Sequence, residues 1–306
     1  MKSAPIPAVC FVLIWLYTAA CSAVQPTPET DPVNASAYAK PLIVAHRGAR
    51  SLAPENTLAA ARQAFDIGAD QWELDVAVTA DGELVVIHDD TLQRTSNVQD
   101  VFPQRSPWAV HTFTLAELRT LDFGSWFNQK DPFAQIEEGA VSPEMQQSYV
   151  GEPIPTLREA LSFTRDNDWS VNVEIKDASG TPGDQDVVEK VVALINVLGM
   201  AERVLISSFN HSYLTRVKAA GPAIRAAALV ERAPADPLAL VRGLGVQGYN
   251  PSHRHIRPED IPALRQAGIE VNVWTVNDPA VMRALIAHGA TSIITDFPQM
   301  LKELLP

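Results

Sequence analysis

Cysteine is nearly absent from this 306-residue chain: the only two are Cys10 and Cys21. No disulfide framework can staple the remainder, so a hydrophobic core must hold it. Long apolar runs are missing too. The apolar run Ile6 to Tyr17 falls short of the ~20 residues a spanning helix needs. Positive charge is scarce, with 24 Lys and Arg against 36 Asp and Glu and a net charge of −12. A chain of that sign repels nucleic acid and anionic membrane surfaces, so an anionic ligand must be drawn in by local cations or a bound metal. No internal repeat, nucleic-acid motif or glycine-rich nucleotide loop is present.

The first residues are set apart by composition. Lys2, the apolar run and Thr18-Ala19-Ala20-Cys21 have the layout of an export signal over residues 1–20. Cys21 is the expected lipidation site, with plain secretory cleavage nearby as the other reading. Residues 21–40 are rich in Pro, Thr and Ala without periodicity and read as a flexible tether. The expected location is exported, periplasmic or membrane-anchored, with the lipid as the sole membrane contact.

From 41 to 306 short apolar strands alternate with amphipathic segments, and hydrophobic residues make up 46% of the whole chain. Strands are expected at Leu42 to Arg47, Trp72 to Val78, Ser170 to Lys176, Val204 to Phe209, Arg225 to Val230, Val246 to Asn250, Val271 to Val276 and Ser292 to Thr295. Regular βα alternation with about eight strands predicts a (β/α)₈ barrel, an α/β fold built on a closed parallel sheet. One extra apolar run, Val85 to His88, follows Asp81-Gly82. That pair signals a tight hairpin, so the run folds back antiparallel on the second strand. Pairing Ala80 with Glu83 sets Asp75 opposite His88. Residues 97 to 152 interrupt the alternation with one clear helix, Leu115 to Leu121, and otherwise polar, irregular sequence. An insert of this length in a compact domain predicts a functional loop or lid over the catalytic face.

The strand ends carry the chemistry. Glu73 and Asp75 are two apart, so both point to one face of their strand. Two adjacent carboxylates repel unless a cation lies between them. Oxygen ligands of this kind suit Mg²⁺ or Ca²⁺. Glu174 completes a three-carboxylate set, and Lys176 on the same strand is placed for a phosphate. His46 and His88 are the candidate acid and base. Arg47 is suited to a bidentate contact with a phosphate or to orienting a carboxylate. Glu55 is a partner for metal or Arg47, or else part of a helix start at Pro54-Glu55-Asn56-Thr57. Phe209 and Trp274 stack on a substrate group or pack in the core. His253 and His255 share a polar loop and read as solvated.

Several of these segments together resemble the glycerophosphodiester phosphodiesterase family. They include His46-Arg47-Gly48, Pro54-Glu55-Asn56-Thr57, Glu73-Leu74-Asp75, Val85-Val86-Ile87-His88-Asp89 and Leu92-Gln93-Arg94-Thr95. Glu174-Ile175-Lys176, Val273-Trp274-Thr275-Val276-Asn277 and Thr295-Asp296-Phe297-Pro298 complete the pattern. It runs in order from about 41 to 305. The resemblance implies a barrel and hydrolysis of glycerophosphodiesters to glycerol 3-phosphate and an alcohol, with a cyclic phosphate as a candidate intermediate. It implies a divalent metal, Ca²⁺ or Mg²⁺, at Glu73, Asp75 and Glu174, and acid/base work by His46 and His88. Arg47 and Lys176 would clamp the phosphate. Two other readings stand beside it: a phospholipase C- or D-like enzyme on lipid diesters, and a surface-binding lipoprotein without activity.

Overall fold

A computed structural model of the chain describes residues 39–305, together with Met1 and Ala4. The expected signal segment, Cys21 and the tether as far as residue 38 lie outside the described residues. The chain enters at β1 (Leu42–Ala45), followed by α1 (Leu58–Ile67), β2 (Gln71–Val78) and β3 (Leu84–Val86). The insertion holds α2 (Val98–Val101), α3 (Leu115–Leu118), α4 (Ser125–Lys130) and α5 (Pro143–Tyr149), and leads to α6 (Leu157–Asp166). Alternation then resumes with β4 (Ser170–Ile175), α7 (Val187–Val197), β5 (Val204–Ser208), α8 (His211–Ala220), β6 (Arg225–Val230) and α9 (Pro237–Leu244). It ends with β7 (Gly248–Pro251), α10 (Ile261–Gln266), β8 (Glu270–Val273), α11 (Pro279–Ala287), β9 (Ser292–Thr295) and α12 (Pro298–Leu304).

Eight of the strands pair in parallel, and contacts of β1 with both β2 and β9 close the ring. The expected (β/α)₈ barrel is therefore present. Period two sorts the side chains: Trp72, Leu74 and Val76 join the buried apolar core, while Glu73 and Asp75 take the opposite face. β3 is the ninth strand, antiparallel to β2. Its place has a consequence for the site. β1 covers one edge of β2 only at Gln71 and Trp72, and β3 takes over that edge from Val76 upward. The residues leaving β1 and β3 therefore meet at a single gap in the wall.

The hairpin register differs by one from the expectation. Val76 faces Val86 and Val78 faces Leu84, and the amide of Ile87, not His88, bonds to the carbonyl of Asp75 at 2.9 Å. The loop is Ala80 to Gly82, three residues rather than two. Thr79 closes it: its amide donates to Glu83 and its hydroxyl both accepts from the Glu83 amide and bonds Asp81. Gly82 takes φ +80°, the left-handed residue such a loop needs.

The insertion is less irregular than its sequence. It carries a core of its own, where Val98, Phe113, Leu118 and Phe123 pack on Val85 and Ile87 of the hairpin. A second cluster sets Phe127 and Tyr149 against Leu52 and Ala53 of the loop after β1.

Candidate active site

His46 is the first residue past β1, and its amide still donates to Thr295 of β9 at 2.9 Å. Its Nδ1 lies 2.6 Å from Asp296 Oδ1, and its Nε2 lies 4.0 Å from Glu73. Burial, then the positive Arg47, push the imidazole below its ordinary range, against the pull of Asp296. Asp296 also accepts from Asn277 Nδ2 at 2.7 Å. Burial opposes its charge, but the His46 bond and nearby cations hold it at about 2. A carboxylate on one ring nitrogen sets the tautomer and leaves the other nitrogen for proton transfer.

Arg47 adopts φ +55°, an uncommon conformation for a residue with a side chain. Two bonds impose it: its amide donates to Glu73 Oε2 at 2.9 Å, and its carbonyl accepts from the Asn56 amide at 2.9 Å. Gly48 follows at φ +82°, with Ala60 so near that a Cβ would sit 2.6 Å from it. Arg47 Nη1 bonds Glu55 at 2.7 Å and Nε approaches Asp75 at 3.3 Å. Burial disfavours the guanidinium's charge, but Asp75, Glu55 and Glu73 more than offset this and raise its pKa.

Glu73, Asp75 and Glu174 are buried and present oxygens all within 4.8 Å of one another. Parallel pairing of β2 with β4 sets Asp75 directly beside Glu174. Burial and the charges of Asp75 and Glu174 push Glu73 well above the usual carboxylate range. Asp75 stays low: burial is outweighed by Arg47, His88 and Lys176 and by a 2.9 Å bond from Asn56. Lys176 Nζ reaches Glu174 at 3.0 Å and Asp75 at 3.9 Å. Three hard oxygen donors with residual repulsion fit a divalent cation such as Ca²⁺ or Mg²⁺. Below them Asn172 Oδ1 and Ser207 Oγ are buried without hydrogen-bond partners and line the same cavity, as a polar ligand would require.

His88 lies beyond β3, with its Nδ1 2.8 Å from Asp89. Although the register differs, it lines the cavity that holds His46, Arg47, Glu73 and Glu174, a space of about 430 Å³. Phe209 and Trp274 form the opposite wall, their rings edge to face at 5.5 Å. Phe209 is 42% exposed, so it belongs to the cavity and not to the core. Trp274 is anchored by a bond from Nε1 to the Asn250 carbonyl at 2.7 Å. The two readings of Glu55 separate here. Its carboxylate binds three arginines, Arg47, Arg50 and Arg94, at 2.7 to 2.8 Å. Thr57 caps α1, its hydroxyl accepting from the Ala60 amide at 3.2 Å. His253 and His255 lie apart from the cavity, and His255 is exposed.

Asp296, Asp89, Arg50 and Arg94 were not singled out from the sequence as site residues. Strand-end position is the signal for Asp296: β9 closes the ring beside β1, so its end lies next to His46.

A parallel barrel with buried carboxylates, two histidines and strong cations at the carboxyl ends of its strands defines a class: hydrolases that act on phosphate esters with a metal. Residues 46–300 match the glycerophosphoryl diester phosphodiesterase family, and the chain belongs to that family. It is accordingly an enzyme, a phosphoric diester hydrolase. A glycerophosphodiester phosphodiesterase of Caldanaerobacter subterraneus is 36% identical over 266 residues, covering 87% of this chain and 98% of the relative. Among solved structures, an Oleispira antarctica phosphodiesterase in complex with the product sn-glycerol-3-phosphate superposes with a TM-score of 0.70 at 28% identity, covering 87% of this chain and 96% of the other. A glycerophosphodiester phosphodiesterase from Agrobacterium tumefaciens gives 0.67 at 29% identity, over 86% and 99%.

Proposed function

We propose that the chain hydrolyses glycerophosphodiesters to glycerol 3-phosphate and an alcohol, with a divalent cation held by Glu73, Asp75 and Glu174. One observation carries this reading. Each histidine has Nδ1 tied to a carboxylate, and both rings line the cavity of the acidic cluster. A bound cation would withdraw charge from the phosphoryl oxygens and ease attack at phosphorus. Arg47 and Lys176 orient and neutralise the same phosphate. One neutral histidine takes the proton of the substrate's 2-hydroxyl as its oxygen bonds to phosphorus. The bond from phosphorus to the alcohol oxygen breaks, and the other, protonated histidine gives its proton to that oxygen. In the second half the roles exchange: water attacks, loses a proton to the now neutral histidine, and the 2-oxygen is protonated by its partner. Phe209 and Trp274 wall the substrate's carbon skeleton.

The test is release of glycerol 3-phosphate from glycerophosphocholine, with chelator and with Ca²⁺ or Mg²⁺ restored, for the wild type, His46→Ala and His88→Ala. Metal-dependent release lost in both variants is expected. Release that survives chelation or either substitution would overturn the mechanism.

A second substrate reading has its own observation. A crevice of about 710 Å³ opens beside Lys176, lined by Val76, Val78 and Val110. It would seat an aliphatic arm, which favours lipid or lysolipid diesters. Faster turnover of lysophosphatidylcholine than of glycerophosphocholine would select it. We further propose export with a lipid on Cys21. Cys21→Ser is expected to move the protein from the membrane to the soluble fraction, and an unchanged distribution would refute this.

A further inference from the structure

We infer that a continuous arc of alternating charges joins the two histidines behind the cavity, with Glu55 at its midpoint and the insertion as its brace. The inference rests on the reading of His46 and His88 as the proton-transfer pair. From His46 Nδ1 the arc passes to Asp296 Oδ1 at 2.6 Å, and Arg50 Nη1 lies 3.5 Å from that oxygen. Arg50 Nη2 reaches Glu55 Oε2 at 2.8 Å. Arg94 then grips Glu55 with two nitrogens, at 2.9 and 2.8 Å. The same guanidinium grips Asp89 with Nε at 2.7 Å and Nη2 at 2.9 Å. Asp89 Oδ1 closes the path on His88 Nδ1 at 2.8 Å.

Glu55 has a guanidinium on both sides, and Asp296 and Asp89 each sit between an arginine and a histidine ring. Glu55 is the most enclosed member, its side chain only 2% exposed. Burial opposes its charge, yet bonds from Arg94 and the charges of Arg47, Arg50 and Arg94 keep it well below the usual carboxylate range. It anchors Arg47 as well, so a shift at Glu55 reaches both histidines and the phosphate clamp.

The insertion supplies no residue to the lining of the central cavity. It touches the arc instead, once on each arginine. The Arg94 guanidinium lies 5.9 Å above the ring of Trp126, and that of Arg50 lies 5.2 Å above Phe133. Phe133 also meets Phe297, the neighbour of Asp296, edge to face at 5.4 Å. Aromatic faces attract guanidinium groups and restrict their tilt. These contacts give the insertion a positioning role at a distance from the chemistry.

The two ends are unequally supported. Asp296 has Asn277 as a second anchor at 2.7 Å, and its contact with Arg50 is long. Asp89 has only Arg94 and His88 as side-chain partners among the described residues. Arg94→Ala should therefore act on His88 alone and more strongly than Arg50→Ala acts on His46. Glu55 keeps Arg47 and Arg50 in Arg94→Ala, which preserves the fold.

The experiment combines steady-state kinetics with imidazole ¹⁵N spectra of the metal-free protein for Arg94→Ala, Arg94→Lys, Trp126→Ala and Glu55→Gln. Orienting partners of this kind are worth roughly 10–100-fold. Arg94→Ala is expected to lower kcat in that range with KM nearly unchanged. The His88 signal should move from one tautomer to a mixture while His46 stays. Lysine cannot bridge two carboxylates as a fork, so Arg94→Lys should fail to restore kcat. Trp126→Ala should move the same readouts less far, and Glu55→Gln should disturb both histidines. A folded Arg94→Ala with wild-type kcat and an unaltered His88 signal would overturn the arc, as would full rescue by lysine. The spectra do not require turnover. If His46→Ala or His88→Ala remains active, the catalytic assignment fails while the arc is still judged by its signals.

Discussion

Stripped of divalent cations, the protein is expected to lose stability as pH rises and to regain it when Ca²⁺ or Mg²⁺ is added. The cause is Glu73. Burial, then Asp75 and Glu174, hold its carboxyl well above the ordinary 4.5. The folded state thus keeps a proton that the unfolded chain has released. Stability from this group is full below about pH 4.5 and declines as pH rises through the higher folded value. A cation binds the deprotonated cluster, so its stabilisation grows across the same window. At a hundredfold excess over Kd, binding contributes about 2.7 kcal/mol. For a domain of this size each kcal/mol moves Tm by roughly 2–4 °C, so the shift near neutral pH is about 5–10 °C. Glu73→Gln removes the group whose deprotonation burial opposes, and with it one of the three candidate metal ligands. It should raise Tm of the chelated protein and abolish most of the response to metal. Thermal denaturation followed by circular dichroism, at about pH 5 and about pH 8 with chelator or metal, reads all of this. A full metal-induced shift in Glu73→Gln, or no shift in the wild type at either pH, would refute the assignment of the carboxylates.

Gly48→Ala forces a side chain into a left-handed residue with Ala60 2.6 Å from the new Cβ. Roughly 1–3 kcal/mol of strain, lower Tm and loss of kcat through displaced His46 and Arg47 are expected, and an unchanged Tm would contradict it. Asp296 is held at about 2, below the ordinary 3.8, so its contribution is present above about pH 3.8 and lost as pH falls through about 2. That amounts to about 2 kcal/mol, and Asp296→Asn should flatten the acid limb of stability in urea titrations across that window. Phe209→Ala removes a cavity wall: about 1 kcal/mol of apolar contact corresponds to roughly fivefold in KM. A fall in kcat with KM unchanged would place Phe209 in the chemical step instead.

Much of the site could be read along the chain because β-strand geometry is local. Glu73 and Asp75 share a face by parity alone, and apolar runs mark where β1, β2 and β4 end. The divergences come from interactions that parity does not encode. An Asp-Gly pair suits a two-residue hairpin, yet Thr79 bonds Asp81 and the Glu83 amide and so favours a three-residue loop. The register slips by one, but His88 still reaches the cavity because it follows β3 in an irregular bend. Beyond the expected helix, which is present but ends at Leu118, the insertion read as irregular because helices of four to seven residues show no period. Side chains define it instead: Asp122 accepts from the amides of Gly124 and Ser125, and Asp131 from those of Ile136 and Glu137.

The partners of the histidines were the hardest to foresee, for two different reasons. Asp296 lies 250 residues from His46 and becomes its neighbour only when β9 closes the ring on β1. Asp89 is adjacent to His88 in sequence, but a strand-end aspartate is common, and Arg94 alone reveals what it does by binding it together with Glu55. A (β/α)₈ barrel draws its site from the ends of many strands, so the groups that touch substrate announce themselves one strand at a time. The groups that aim them belong to several strands and an insertion at once. They become visible only when the ring is closed, which is why Glu55 reads in sequence as either a partner for metal or Arg47 or a helix start, and in space as the junction of three arginines.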